Sequence, residues 1–202
     1  TTSISSVSAC DTFSWNGTVY TTSGTYSYFT SNANGCDSTA TLNLIIFIAP
    51  NSSYTQSDFN GVGVSCNGDS DGSIDLSVTG GVGVHTYAWS NGSTSEDLSL
   101  IGAGTYSVVS TDNNGCTTTE TIIITESVAL TSFYTQSDYN GFGVSCNGDS
   151  DGSIDLSVNG GVDNQNYTYV WNDGFTSEDR VLIGAGTYSV LVTDANGCTT
   201  SK

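Results

Sequence analysis

Apolar and polar residues alternate along most of this chain, and no long stretch carries a helical period. Between Ser73 and Val78, Ile74, Leu76 and Val78 share one face while Ser73, Asp75 and Ser77 share the other, the two-residue period of a strand with one buried side. Thr86 to Ser90 aims Tyr87 and Trp89 inward, Thr105 to Val109 does the same with Tyr106 and Val108, and Thr119 to Thr125 is a β-branched run. The pairs Asp71-Gly72, Gly80-Gly81, Asn91-Gly92 and Asn114-Gly115 separate these segments as turns. About six or seven short strands for roughly every eighty residues predict an all-β, immunoglobulin-like β-sandwich. A barrel of similar strand number fits the same pattern. Leu98 to Tyr106 also resembles a tyrosine corner, whose phenol hydrogen-bonds back to the chain entering the next-to-last strand.

The pattern is written twice. Residues Tyr54 to Gly81 return as Tyr134 to Gly161 with three differences, Phe59/Tyr139, Val62/Phe142 and Thr79/Asn159, and Gly102 to Val108 returns as Gly184 to Val190. Such a tandem copy predicts modules in a row, each burying its own small core. The expected modules are residues 1–49, 50–130 and 131–202, the third lacking its last strand because it stops where its twin continues into Thr121 to Thr125. The first is shorter. Trp15 to Tyr20 reads as a hairpin around Asn16-Gly17, Ser23 to Tyr28 echoes the Gly-Thr-Tyr-Ser of the copies, and Asn34-Gly-Cys36 echoes Asn114-Gly-Cys116. Leu42 to Ile48 is a buried strand closing that module, too short to cross a bilayer. With no signal peptide and no membrane span, the chain is expected to be a window of a longer array whose targeting segments lie elsewhere.

Six cysteines fall two to a module: Cys10 and Cys36, Cys66 and Cys116, Cys146 and Cys198. Domains this small need staples. Pairing within each module is the scheme that lets each fold alone, and closing the Cys66–Cys116 loop would stabilise it by about 4 kcal/mol in the chain-entropy account. With strands alternating in direction, both cysteines of a copy are expected at the same pole. Isolated single cysteines and a lone His85 argue against zinc. Disulfides place the chain outside the cytoplasm. Two Lys and Arg against 20 Asp and Glu leave a net charge of −18, which disfavours nucleic acid and anionic membrane as partners. The counter-charges must be solvent cations, a divalent metal or a basic partner.

Cys66-Asn-Gly-Asp-Ser-Asp-Gly-Ser-Ile, Gly80-Gly81, Tyr87-x-Trp89-Ser-Asn-Gly92, Ala103-Gly-Thr-Tyr106 and Asp112-Asn-Asn-Gly-Cys116 form an ordered series that resembles the SprB-type repeat of giant cell-surface adhesins in gliding bacteria. The resemblance covers both copies, about residues 50–202. The first module resembles another short surface-protein repeat through Trp15-Asn-Gly, Ser23-Gly-Thr-Tyr26 and Gly35 to Leu42. The resemblance implies type IX export, display on the bacterial outer surface, and gliding motility or attachment, with no catalytic residues to carry over. The expected role is a non-enzymatic adhesin segment whose partners are neighbouring repeats of the same long chain and an extracellular surface or polysaccharide. A carbohydrate-binding module and a subunit of an extracellular filament are the alternatives.

The candidate metal site is Asn67, Asp69, Asp71 and Asp75, repeated as Asn147, Asp149, Asp151 and Asp155. The spacing matches the first nine positions of an EF-hand-like loop and would offer Ca²⁺ alternate oxygen ligands. Val78 or Val158 stands where that loop has its bidentate glutamate; the other reading is a polar Asp-Gly turn before a strand. No other cofactor is implied. Glu96-Asp97 and Glu178-Asp179 are adjacent, so their side chains point to opposite faces and cannot flank one glycosidic bond. Trp89 and Trp171 read as core, the alternative being a sugar platform. His85 is replaced in the second copy, and Asp37-Ser38-Thr39 resembles an O-glycosylation acceptor that a strand-end turn explains equally well.

Overall fold

The computed structural model describes residues 2–31, 35–162 and 166–202, and every regular element among them is a strand. The first module holds β1 (Thr2–Cys10), β2 (Phe13–Trp15), β3 (Thr18–Tyr20), β4 (Gly24–Ser31) and β5 (Asp37–Phe47). β2 and β3 form the expected hairpin, with Asn16 at φ 47° and Gly17 at φ 80°, the left-handed pair that a tight two-residue turn requires. β5 does not close the module but runs through its middle, parallel to β1 and antiparallel to β4. Its alternation buries Leu42 and Leu44 while Asn43 and Ile45 face out. The Asn34-Gly-Cys36 echo begins outside the described residues.

The first copy contributes β6 (Pro50–Gln56), β7 (Gly72–Gly80), β8 (Thr86–Trp89), β9 (Leu98–Ile101), β10 (Gly104–Thr111) and β11 (Thr117–Ile124). The second contributes β12 (Val128–Gln136), β13 (Gly152–Gly161), β14 (Thr168–Trp171), β15 (Arg180–Ile183), β16 (Val190–Thr193) and β17 (Thr199–Ser201). Each copy makes two three-stranded sheets, β6-β7-β9 with β11-β10-β8, and β12-β13-β15 with β14-β16-β17. This is a reduced immunoglobulin-like sandwich. The closing strand expected to be missing from the second copy is present as the three residues of β17, paired with β16.

The chain divides into two compact units: residues 1–55, 75–98 and 106–122 form the first, and residues 56–74, 99–105 and 123–202 the second. Leu42, Leu44, Leu76, Trp89, Leu98, Val108 and Ile122 are buried in the first. In the second, Leu156, Trp171, Val190 and Val192 make a cluster flanked by Ile154, Val158, Tyr167, Tyr169 and Tyr188. Each such fully buried side chain stabilises by about 1.5–3 kcal/mol. A bulge sets one detail of this core. Gly152 pairs with Ile183 and Ser153 with Val181, which skips Leu182, a residue at φ 56° and 76% exposed. The skip turns both Arg180 and Ile183 inward, where an unbroken strand would send them to opposite faces. Leu100, at φ 55° between buried Leu98 and Ile101, repeats the device.

The disulfides overturn the intramodule expectation. Cys10 pairs with Cys116 and Cys66 with Cys198, each pair with Cα atoms 5.6 Å apart, so Cys10–Cys36, Cys66–Cys116 and Cys146–Cys198 do not form. Cys146 is a free, exposed thiol. The reason lies in strand direction. Tyr167, just before β14, donates to Gly160 O at the end of β13, and Thr193, at the end of β16, pairs with Thr168. The turn carrying Cys198 therefore follows the end of β13, whereas Cys146 precedes its start. A strand of that length separates the two by about 30 Å, far beyond the roughly 7 Å a disulfide spans. In the first module, the parallel register Thr2↔Thr39 and Cys10↔Phe47 likewise puts Cys10 and Cys36 at opposite ends of β5.

Candidate functional site at the cysteine turns

Each copy presents its second cysteine on a turn wrapped around one buried aspartate. The Asp194 carboxylate, 6% exposed, accepts from the N–H groups of Asn196 (3.0 Å), Cys198 (2.9 Å) and Val162 (2.8 Å). Asp112 accepts equivalently from Asn114 (2.9 Å), Cys116 (2.8 Å) and Val82 (2.9 Å). Burial pushes the Asp112 carboxyl up, but the N–H groups of Cys116, Val82 and Asn114, with His85 nearby, outweigh it and hold the pKa below its ordinary value. The Gly-Gly pair that ends β13 makes room for this. Gly161 sits at φ +73°, and a Cβ there would lie 2.6 Å from Asp194 Oδ2.

The first cysteine of each copy sits on a preorganised loop. In the first copy Gly61 N–H donates to Asp58 Oδ1 (2.6 Å), Phe59 N–H to Val62 O (2.8 Å) and Asp69 N–H to Cys66 O (3.0 Å). Ser65 donates its N–H to Asp71 Oδ1 and its hydroxyl to Asp69 Oδ2, both at 3.0 Å. The second copy repeats each bond within about 0.1 Å, through Gly141–Asp138, Tyr139–Phe142, Asp149–Cys146 and Ser145 with Asp151 and Asp149. The Ser65 hydroxyl and N–H hold the Asp71 carboxyl below its ordinary value, as Ser145 does for Asp151.

Loop and turn meet at Cys66–Cys198. Asn196 Nδ2 donates to the carbonyls of Phe59 and Ser65, both 3.0 Å away, and Asn196 Oδ1 accepts from Asn60 Nδ2 at 2.6 Å. A shallow cleft of about 320 Å³ beside the disulfide is lined by Cys66, Asn67, Asp69, Leu130, Gly197 and Cys198.

These bonds redefine the Asp-rich loops. Asn67 Nδ2 donates to Ser127 O (2.8 Å), Asp69 and Asp71 both turn to Ser65, and Asp75 stands exposed on β7. Asp149 and Asp151 turn to Ser145, and Asp155 is exposed on β13 opposite Thr135. Two carboxylates of each candidate metal site thus accept hydrogen bonds from a serine of their own loop. Among the described residues no group of three or more His, Cys, Asp or Glu side chains is placed to hold a metal ion.

Other candidates resolve as structure. Trp89 and Trp171 are 5% and 3% exposed, and their ring N–H groups donate to Ser95 O (2.9 Å) and Ser177 O (2.8 Å). Asp97 and Asp179 accept from the N–H groups of Leu76 and Leu156, both at 2.9 Å, while Glu96 and Glu178 interact with Tyr87 and Tyr169. Burial, then the glutamate, pushes each phenol up to about 12. Tyr188 donates to Gly184 O (3.0 Å) and Tyr26 to Thr22 O (2.8 Å), the back-bond of the tyrosine corner. His85 Nε2 lies 3.1 Å from Gly80 O, and Asp37 begins β5.

One cluster has no counterpart in the sequence reading. Buried Arg180 makes two hydrogen bonds to the Asp173 carboxylate (2.8 and 2.6 Å) and stacks over Phe175, 4.2 Å from the ring centroid. Its hydrogen bonds hold the Asp173 carboxyl below its ordinary value. The signal was available: the equivalents of Arg180, Asp173 and Phe175 in the first copy are Leu98, Asn91 and Ser93, three changes at one locus.

A family model described as the SprB repeat matches residues 62–94 and 144–176, one span in each copy. Each copy thus contains a span that matches the SprB repeat. Each matched span begins on the loop of the first cysteine and includes the buried tryptophan, whereas the aspartate-centred turns at Cys116 and Cys198 lie downstream of it. No curated protein matches the chain. Among solved structures, the N-terminal eight Ig domains of Down Syndrome Cell Adhesion Molecule align over 95% of this chain and 30% of that one, with 12% identity and a TM-score of 0.47. Three N-terminal domains of the bacteriophage RB49 capsid protein Hoc align over 77% and 57%, with 17% identity and a TM-score of 0.37. A Ca²⁺-stabilized, ice-binding adhesin of an Antarctic bacterium aligns over 90% and 55%, with 17% identity and a TM-score of 0.35. The chain thus spans about a third to a little over half the length of these structures.

Proposed function

We propose that this segment is a non-enzymatic stretch of a long extracellular adhesin on the bacterial outer surface, serving as stalk and multivalent attachment surface in gliding motility or surface adhesion. The observation that carries this reading is the stapling of successive repeats, Cys10 to Cys116 and Cys66 to Cys198. A bond from one repeat to the next adds nothing to a catalytic centre but makes tandem modules mechanically continuous. Disulfides belong to an oxidising exterior, and the SprB repeats and the unbalanced acidic charge support the same reading. The carboxylate pairs serve backbone and phenol partners rather than a shared substrate. Export by the type IX route belongs to this proposal. Attachment arises from many weak contacts, because linking modest sites raises avidity without new contacts.

Beads coated densely with the segment test the proposal. They are expected to attach to glass or polysaccharide films that the soluble segment does not hold. Attachment no better than that of beads of matched negative charge would overturn the adhesive role.

One observation favours carbohydrate binding as a second reading. Burial removes Trp89 and Trp171 as a platform, but the first module gathers Trp15, Tyr20, Tyr26 and exposed Tyr28, with ring centroids 6.4 Å (Trp15–Tyr20), 6.2 Å (Trp15–Tyr28) and 4.1 Å (Tyr20–Tyr26) apart. Film binding abolished by Trp15→Ala would point there; binding that survives it would not.

A further inference from the structure

The loop around Cys66 has its occupant, and the loop around Cys146 is the same loop without one. Cys66 is half-buried in a disulfide beneath the Asn196-Gly-Cys198 turn, while Cys146 is exposed and free. The flanking side chains follow suit. Phe59 and Val62 are half-buried and Val64 is fully buried, whereas Tyr139 and Phe142 are exposed and Val144 is only half-buried. The acceptor is already shaped. Asn140 keeps the left-handed φ of Asn60, 56° against 54°, and the bonds from Gly141, Tyr139 and Ser145 reproduce those of Gly61, Phe59 and Ser65.

We infer that the surface formed by Tyr139, Asn140, Ser145 and Cys146 is the docking site for the aspartate-centred Asn-Gly-Cys turn of a following repeat in the same chain, closed by a disulfide from Cys146. Two disulfides set the rule: Cys10 of the first module takes Cys116 of the next, and Cys66 takes Cys198 of the next after that. Cys146 is the same position one repeat further on. The incoming asparagine donates to the Tyr139 and Ser145 carbonyls and accepts from Asn140, as Asn196 does with Phe59, Ser65 and Asn60. Closing the bond removes one proton and one electron from each thiol. Both electrons pass to the S–S bond of a small disulfide oxidant such as oxidised glutathione, which leaves as two thiols. The inference rests on the repeat arrangement and not on adhesion, so a failure of bead attachment leaves it standing.

The test lengthens the chain by one repeat. Thr199 to Lys202 hold the register of Thr117 to Glu120, so residues 121–202 repeated after Lys202 continue the array, with Cys146→Ser and a Thr199→Ser mark in the added copy so that the parent Cys146 is the one measured. In the parent chain Cys146 alkylates as an exposed thiol. In the lengthened chain, refolded with reduced and oxidised glutathione, alkylation of Cys146 is expected to fall at least about tenfold, and non-reducing peptide mapping should link Cys146 to the marked copy of Cys198. A free Cys146, or a Cys146–Cys146 dimer, in a lengthened chain whose circular dichroism shows the added repeat folded would overturn the inference. If the added repeat does not fold, a peptide of residues 186–202 is incubated with the parent chain in the same buffer. Mixed disulfide at Cys146 should then exceed that from an Asn196→Ala peptide by about threefold; equal yields overturn the inference as well.

Discussion

The side-chain amide of Asn196 donates a 3.0 Å hydrogen bond to the carbonyl of Phe59, 137 residues earlier in the chain. With the bonds to Ser65 and from Asn60, it fixes the geometry in which Cys198 meets Cys66. Asn196→Ala is expected to destabilise the protein by about 1–3 kcal/mol, read as a lower urea midpoint with an unchanged slope. The Cys66–Cys198 bond should become easier to reduce than Cys10–Cys116 in the same molecule. Unchanged reducibility would mean the amide only decorates the junction.

Arg180 and its partners predict an ordering of variants. Asp173→Ala leaves a buried guanidinium without its carboxylate and is expected to be more destabilising than Arg180→Leu, which restores the side chain found at Leu98. Arg180→Leu with Asp173→Asn and Phe175→Ser converts the site to that of the first copy and should recover stability beyond the sum of the single changes. Thermal melts of the six proteins (the parent, Asp173→Ala, the three single changes of the conversion and the triple variant) check the order; additive effects would dissolve the cluster into independent contacts.

Stability should fall at both ends of the pH scale, with signs set by the shifts. Tyr87 and Tyr169 are raised from 10.0 to about 12, so between those values the unfolded chain loses phenolic protons that the folded chain keeps. The stabilisation is complete below pH 10 and is lost as pH rises toward 12. Asp71, Asp112, Asp151 and Asp173 are all lowered from 3.8. Their contribution is present above that value and is lost as pH falls through their folded values. Tyrosinate absorbance followed alongside circular dichroism should show two phenols titrating late, together with unfolding on the alkaline side.

Calcium provides a negative prediction. With Asp69, Asp71, Asp149 and Asp151 held by serines, millimolar Ca²⁺ is expected to raise the melting temperature no more than matched Mg²⁺, both acting by screening. A Ca²⁺-specific rise removed by Asp71→Asn would show that the loop rearranges to ligate.

Local periodicity made the strands legible: Ile74, Leu76, Trp89 and Val108 all face inward as their alternation implies, and the Asn16-Gly17 hairpin and the Tyr188 back-bond follow from turn chemistry. The disulfides were not legible for a physical reason. Which pole a cysteine occupies depends on how many times the chain reverses between sheets, and the passage from β14 to β15 breaks the simple alternation that put Cys146 and Cys198 together. The inward setting of Arg180 was hidden by the bulge at Leu182, since a strict period of two assigns it to solvent. The spacing of the Asp-rich loop suits a cation; what it could not show is that two of its carboxylates have a serine donor within the same loop.

The staggered disulfides also shorten the covalent path along which tension travels. A pull on the two ends runs from residue 1 to Cys10, across to Cys116, back along the chain to Cys66, and across to Cys198. Only roughly 66 of the 202 residues lie on that route, so even a fully unravelled segment would reach about 220 Å rather than about 690 Å at extended-chain spacing. Part of the load would be carried backwards through the first copy. Oxidised, the segment holds slack it cannot release; reduced, its reach is about three times longer, so the redox state of its surroundings sets how far it can be drawn out.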